Sequence, residues 1–560
     1  MATEAKPTHN EIIKDNSPTL AGSIAQTMAD PEADRFDKDD QQFIKFHGIY
    51  QQDDRDNRKG GKKFMFMVRG RIPGGILSPD LYLAYDNLAD KYGNQTLRIT
   101  SRQSFQFHGI IKEGLGKVIK GINDAMADTL AACGDVNRNV MSPPTPATNS
   151  LREAALEDCR KVAAALLPIT PSYVDIWVEG VKLDLNEKHE GFVDPLYGKT
   201  YLPRKFKTAF AIPPLNDTDV FTNCLGFIAI EENGELVGYN LVVGGGQGRT
   251  HNNIKTYPRT GDVIGFFTPE KIVEVSKAVL TVHRDFGDRC DRKHARLKYV
   301  LEEKGADWFR GELETRTGVK LDPARDYTFE SQGDLFGWHE QLGDKLFLGL
   351  HVSSGRIKNV EGYQLKAALR KIVDQFRPEA RLTPSQNIVL TGIDPANKDA
   401  ITQILADHGV PVENQSTALQ RASMACPALP TCGLALAESE RYLPDLIDQI
   451  GAALSDAGLP DEEIVIRMTG CPNGCARPYM AELGFVGKSP KKYQIYLGGN
   501  ETSTRLNTLW KDTVLEDEII AELTPLFVRF KAERENGERF GDYCARVILP
   551  EHAAAIAESN

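Results

Sequence analysis

Leu97-Arg-Ile-Thr-Ser-Arg-Gln-Ser-Phe-Gln-Phe-His-Gly-Ile110 returns later in the chain as Ala380-Arg-Leu-Thr-Pro-Ser-Gln-Asn-Ile-Val-Leu-Thr-Gly-Ile393. Arg98 aligns with Arg381, Thr100 with Thr383, Gln103 with Gln386 and Gly109-Ile110 with Gly392-Ile393, an offset of 283 in a chain of 560. Upstream, Lys63-Phe64 leading to Gly75-Ile76 is echoed by Lys345-Leu346 leading to Arg356-Ile357. Solenoid repeats are far shorter than this. The pattern is a duplication, and two pseudo-equivalent halves make a natural two-sided cleft.

Within the first copy, Arg98, Thr100, Arg102, Ser104, Gln106 and His108 share one parity, and Leu97, Ile99, Phe105 and Phe107 the other. A strand places such sets on opposite faces. Alternation alone fits a solvated polar face, and the duplication adds a second reading in which that face meets an anionic ligand. The second copy has Asn387 and Val389 where the first has Ser104 and Gln106, so the basic face belongs mainly to the first half.

The bulk properties narrow the class. A chain of this length exceeds one ordinary core, so two to four domains are expected. With 41% hydrophobic and 26% charged residues it reads as a folded protein. A net charge of −11 argues against general nucleic-acid or membrane-surface binding. No apolar run approaches the roughly 20 residues of a membrane span. The N-terminus lacks a secretory pattern, so a cytoplasmic location with reduced thiols is expected. Residues 1–40 hold nine acids and four bases with little periodicity, which reads as a flexible arm. Residues 303–335 read as a linker. Asn240-Leu-Val-Val-Gly-Gly-Gly246 runs into Arg249 where a dinucleotide fingerprint needs its third glycine, so that fingerprint is rejected.

Four cysteines carry the strongest chemical signal. Ser423-Met-Ala-Cys426-Pro-Ala-Leu-Pro-Thr-Cys432 and Thr469-Gly-Cys471-Pro-Asn-Gly-Cys475 set C-x5-C and C-x3-C in two short Pro- and Gly-punctuated loops. Structural zinc usually spaces ligands by two to four residues, so x5 fits it poorly. A disulfide is disfavoured without a secretory signal. A 4Fe–4S cubane takes four thiolates at varied spacing. From spacing alone, a zinc-stabilised, non-enzymatic scaffold and inert thiols stay as the alternatives. Cys133, Cys159, Cys224, Cys290 and Cys544 stand isolated and read as packing residues.

Those two cysteine loops resemble the signature of the nitrite and sulfite reductases that couple a 4Fe–4S cluster to sirohaem. The resemblance runs from about residue 43 to 547 and is nearest to the haemoprotein (beta) subunits of assimilatory NADPH-dependent sulfite reductases. Ala476 stands where that family commonly has Gly. The resemblance implies an α+β fold: two ferredoxin-like half-domains forming one pseudo-symmetric unit, plus two sirohaem/4Fe–4S α+β domains around a central cofactor cleft. The implied division is a 1–55 arm, a first half-domain at 56–130, a first sirohaem domain at 131–325, a second half-domain at 326–410 and a second sirohaem domain at 411–560. It further implies six-electron reduction of sulfite to hydrogen sulfide. The cofactors would be one sirohaem and one 4Fe–4S cluster held by Cys426, Cys432, Cys471 and Cys475, with Cys475 also the axial ligand of the haem iron.

Carried over by motif, Arg69, Arg138, Lys205 and Lys207 are the expected substrate residues. Arg98, Arg102, His108, Arg204 and Arg296 are the expected sirohaem contacts. Arg guanidinium suits an oxyanion and Lys ammonium suits proton delivery. NADPH, FAD and FMN would belong only to a flavoprotein alpha subunit. A ferredoxin-dependent sulfite or nitrite reductase of the same family is the alternative, because a cationic pocket suits either anion.

Overall fold

The computed structural model describes residues 6–146, 150–170, 177–178, 181–182, 191–412 and 416–559. Two five-stranded antiparallel sheets form its centre. The first runs in the order Ile49–Asp53, Phe64–Arg69, Phe105–Ile110, Leu97–Ile99, Arg356–Ile357. The second runs Gly337–Gln341, Lys345–Leu350, Ile388–Ile393, Glu379–Leu382, Ile76–Leu77. Each half therefore lends a two-residue strand to the edge of the other's sheet. Arg356 faces Arg98 and Ile357 faces Leu97 in one sheet, while Arg381 faces Ile76 and Ala380 faces Leu77 in the other. This pairing makes Gly355-Arg356 the partner of Gly75-Ile76, one residue from the register that the sequence repeat suggested.

The exchange merges both halves into one core. Tyr82, Tyr85, Phe105 and Phe107 from the first half share it with Leu348, Leu369, Ile388 and Leu390 from the second, all completely buried. The glycines at the crossing have a steric cause. Gly75 (φ +75°) and Gly355 (φ +73°) sit where a β-carbon would lie 2.5 Å from the carbonyl oxygens of Leu382 and Ile99. Only glycine meets both demands without strain.

Two further sheets share one topology. One runs Asp262–Phe267, Glu235–Val243, Leu225–Glu232, Thr208–Ala211, and its last two strands are parallel. Met141 bridges Ala209 in parallel beyond them. The other runs Ser423–Ala425, Ile466–Thr469, Leu483–Ser489, Lys492–Leu497, Thr508–Leu515, with the first three strands parallel. The duplication thus extends beyond the half-domains, with Met141 and Met424 in matching places.

Three sequence expectations need correction. Residues 6–53, expected as a flexible arm, form helices His9–Asn16, Ile24–Ala29 and Asp40–Phe46 and strand Ile49–Asp53. Ile13, Leu20, Phe43 and Phe46 enter one core, and Phe36, Ile44 and Ile49 another. The acids that suggested disorder are paired: Glu11 with Lys14 at 2.6 Å and with Arg289, and Asp15 with Lys199 at 2.9 Å. Residues 303–335, expected as a linker, contain the helix Ala306–Thr317, which buries Phe309 and Leu313. The strand expected over 97–108 breaks at a tight turn, where Thr100 N donates to the Ser104 carbonyl at 2.8 Å and Gln103 takes φ +51°. The sequence Tyr173-Val-Asp-Ile-Trp-Val178 reads as a strand; residues 173–176 lie outside the described residues, and Trp177–Val178 pairs with Val181–Lys182.

Candidate active site

The two cysteine loops leave the carboxyl ends of adjacent parallel strands, Ser423–Ala425 and Ile466–Thr469, which is where open α/β sheets place their ligands. Strand adjacency brings the loops together. Cys426 N donates to the Met468 carbonyl at 3.2 Å, and Gly470 N donates to Cys426 Sγ at 3.4 Å. Asn473 Nδ2 donates to Cys471 Sγ at 3.4 Å. All six pairs among Cys426, Cys432, Cys471 and Cys475 lie within electrostatic range. Burial, then the neighbouring thiols, pushes Cys426 well above the ordinary thiol range and Cys471 up to about 11.

A zinc ion 2.3 Å from each of four thiolates would draw the sulfurs to within about 3.8 Å of one another. A cubane spreads four thiolates over four irons. The donor set fits a 4Fe–4S cluster. Cys426 and Cys471 are buried, Cys432 is half-buried and Cys475 is exposed.

Cys475 looks onto cations. Arg69, Lys205 and Lys207 all lie within its electrostatic reach. Arg138 joins them through the loop before Met141: its backbone N donates to the Phe206 carbonyl at 2.9 Å and its Nε to the Gly134 carbonyl at 2.8 Å. The four expected substrate residues are thereby brought together. Burial, then Arg204 and Arg296, drives Lys205 down to about 7, and burial with Arg102 and Lys205 drives Lys207 well below its ordinary value. Such crowding of cations is unfavourable unless an anion sits among them.

The expected haem contacts divide. Arg102 donates only to neutral acceptors, Asn223 Oδ1 at 2.9 Å and the carbonyls of Asn139 and Thr208 at 2.6 and 3.1 Å. Burial, then Arg138 and Arg477, lowers it to about 9. Arg296 donates to Cys224 Sγ at 3.4 Å, and its Nε is buried without a partner. Arg204 has Asp135 at 3.9 Å, but Asp135 is committed to Arg292 at 2.8 Å. These three guanidinium groups hold charge that the protein does not neutralise, as a polycarboxylate ligand requires.

Arg98 and His108 are placed elsewhere. Arg98 is wholly buried, 3.1 Å from Glu440, and donates to the Ala425 carbonyl at 2.7 Å, so it braces the first cysteine loop from behind. His108 lies beside the same pair, and burial with Arg356 lowers it to about 3. The broken strand explains the split: beyond the turn at 100–104, Arg98 and Arg102 no longer share a face.

Several participants escaped the sequence reading. Cys133 accepts from Arg69 Nη1 at 3.0 Å and pairs with Tyr50, and Cys224 accepts from Arg296, so two thiols expected only to pack are lodged among the site's cations. Lys298, legible in the sequence only as part of the basic cluster that includes Arg296, donates to the Gly248 carbonyl at 3.0 Å and holds the 244–248 glycine loop, whose neighbour Arg249 donates its backbone N to the Pro472 carbonyl at 2.9 Å. Arg477 and Asp219 knit the second cysteine loop to the loop between strands Thr208–Ala211 and Leu225–Glu232. Their signals were single charges far apart in sequence, which no local pattern pairs.

Residues 134–321 match the nitrite and sulphite reductase 4Fe-4S domain, and residues 57–125 and 339–408 match the nitrite/sulfite reductase ferredoxin-like half domain. The chain is 47% identical over 553 residues to the sulfite reductase (NADPH) hemoprotein beta-component of Myxococcus xanthus, covering 98% of each chain. It is 45% identical over 549 residues to the protein of that name in Shouchella clausii, covering 97% of this chain and 96% of the relative. The structure of the Mycobacterium tuberculosis NirA protein superposes with a TM-score of 0.78 over 97% of each chain at 23% identity, a likeness of fold.

Proposed function

The chain belongs to the nitrite and sulphite reductase family, and from that premise we propose that it is the haemoprotein component of an assimilatory, NADPH-dependent sulfite reductase. It carries one sirohaem and one 4Fe–4S cluster and reduces sulfite to hydrogen sulfide with six electrons. When bound, these groups supply the electron relay and the iron that takes up sulfur, chemistry beyond any side chain. Cys426, Cys432, Cys471 and Cys475 would hold the 4Fe–4S cluster, and Cys475 would also serve the haem. Arg102, Arg204 and Arg296 answer the haem carboxylates.

Arg69 and Arg138 grip the sulfite oxygens, and Lys205 and Lys207 hold protons for them. In the cavity alone, burial and neighbouring cations favour the neutral amines, whereas a dianion among them favours the ammonium form. Each lysine is therefore charged most readily when substrate is present to receive its proton. Electrons from NADPH arrive through a flavoprotein alpha subunit, in keeping with the relatives named as the hemoprotein beta-component of an NADPH-dependent enzyme. No helix of the described residues is long and apolar enough to cross a membrane. We further propose a cytoplasmic location, resting on the expectation of reduced thiols.

The observation that carries this reading is the position of Cys475, within electrostatic reach of three other thiols and of Arg69, Lys205 and Lys207. The test is a visible spectrum and iron analysis of the purified protein, followed by a donor assay. A sirohaem spectrum, about five irons per chain and sulfite reduction by NADPH only with the flavoprotein are expected. Zinc without iron would overturn the class, and direct reduction by ferredoxin would reassign the donor.

A further inference from the structure

Electrons must reach the four thiols from outside, and the loops offer one outward edge. Cys426 and Cys471 are buried, and Cys475 is exposed but lies among the substrate-side cations Arg69, Lys205 and Lys207; on the other loop Cys432 is half-buried and the two residues after it, Gly433 and Leu434, are exposed. Leu434 is 65% exposed, an isolated apolar side chain two positions from a cysteine of the site.

Beside this edge lies the hairpin loop 54–63, which joins Ile49–Asp53 to Phe64–Arg69. Arg55 ties it to the cysteine loop: its backbone N donates to the Pro430 carbonyl at 3.3 Å and its Nη1 to the Ala435 carbonyl at 2.6 Å. Asp56 is held by Arg441 at 2.6 Å. The loop carries Arg55, Arg58, Lys59, Lys62 and Lys63 against Asp54 and Asp56, a surplus of three positive charges on a chain whose net charge is −11. Arg58 is neutralised by Asp53 at 2.5 Å, whereas among the described residues Lys59, Lys62 and Lys63 form no ion pair, and all three are exposed.

We propose that Lys59, Lys62 and Lys63, together with Leu434 on the cysteine loop to which Arg55 ties theirs, form the docking surface for the acidic face of the one-electron carrier domain that feeds the 4Fe–4S cluster. The inference rests on the reading that electrons enter through that cluster. An acidic partner is repelled by this chain as a whole and is attracted here, so the charge pattern steers it to the edge of the cysteine loop. Leu434 supplies the apolar centre and the lysines the polar rim, the usual anatomy of such a contact.

The test uses the holoenzyme with its flavoprotein, and reduced methyl viologen as a small donor that needs no docking. The triple variant Lys59→Glu, Lys62→Glu, Lys63→Glu is expected to raise the KM for the flavoprotein roughly tenfold or more and to flatten its salt dependence. Methyl viologen turnover should stay unchanged, and the Lys→Arg triple variant should behave as wild type. Leu434→Ala should weaken flavoprotein coupling without altering the salt slope. An unchanged KM and salt slope in the charge-reversal variant would overturn the proposal, and so would equal loss of both activities, which would make the loop a support of the fold. Failure of the wild-type holoenzyme to reduce sulfite with methyl viologen would instead sink the enzymatic reading itself.

Discussion

Asp219 accepts from Arg467 Nη1 at 2.6 Å, and its other neighbour is the guanidinium of Arg477, two residues beyond Cys475. All three side chains are buried. Arg477 also donates to the Ser101 carbonyl at 2.7 Å and to the Pro384 carbonyl at 3.0 Å, and Ser101 Oγ donates to the Cys475 carbonyl at 2.7 Å. One carboxylate from the 219 loop therefore fixes the point where both half-domains meet the last cysteine. Asp219→Ala leaves two guanidinium groups buried without a counter-charge. A loss of about 3–5 kcal/mol is expected, read as a lowered midpoint of urea unfolding. A midpoint within error of wild type would mean that water or a relaxed seam takes over the role of Asp219.

Lys207 is crowded by Arg102, Lys205 and Arg296 and is within reach of Cys475. If it gives up a proton during turnover, Lys207→Ala should slow sulfite reduction by about 10²–10⁴-fold, the usual share of a general acid. Haem and iron content should not change. Lys207→Arg should fail to restore the rate, because guanidinium holds its proton too tightly at neutral pH. Full turnover by the Ala variant at full cofactor loading would remove Lys207 from the chemistry.

Iron content separates the two kinds of cysteine. Ser in place of Cys426, Cys432 or Cys471 should lower iron from about five per chain by the four atoms of the cubane. Cys159→Ser and Cys544→Ser, placed in hydrophobic cores away from the loops, should keep the full complement. Full iron in a Cys471→Ser protein would reject the four-thiolate assignment.

The parts legible in the sequence were those that chemistry or duplication repeats. The two cysteine loops and the Arg69, Arg138, Lys205 and Lys207 motifs are local strings, and the structure assembles them. The 283-residue offset exposed the half-domains. Arg98 was misplaced because parity assumes an unbroken strand, and the turn that places Gln103 at φ +51° resets it. The N-terminal stretch looked disordered because its acids outnumber its bases, while their partners, Lys199 and Arg289, lie far along the chain. Long-range charge pairing leaves no periodicity to read. The exchanged strands at 76–77 and 356–357 are two residues each, too short for any pattern.

Asp217 is 2% exposed, and its Oδ1 has no hydrogen-bond partner. Burial, opposed by Arg152 and helped by Asp334 and Asp219, raises it to about 7 from an ordinary 3.8. A raised acid stabilises the fold fully below its unfolded pKa, and that contribution is lost as pH climbs through the folded one. Stability should therefore fall between about pH 4 and 7 on account of this group. Asp217→Asn removes the loss, so the variant should gain on wild type by up to about 4 kcal/mol at pH 8 relative to pH 4. Unfolding midpoints of the two proteins across that range provide the check, and a constant difference would show that Asp217 does not titrate there.

The crossing glycines test whether the two halves depend on each other. Gly75 and Gly355 occupy matching places, each in a left-handed conformation and each against a backbone oxygen of the opposite half. Alanine at either site meets an unfavourable φ and a 2.5 Å approach to a carbonyl that the neighbouring sheet holds in place. Each substitution should cost at least about 2 kcal/mol. The informative quantity is the double variant. If each exchanged strand secured only its own sheet edge, the two losses would add, as they do at independent sites. Because both strands close one shared core, loosening the first crossing should already free part of what the second holds. The double variant should then lose measurably less than the sum, and strict additivity would mean that the half-domains fold as separate units.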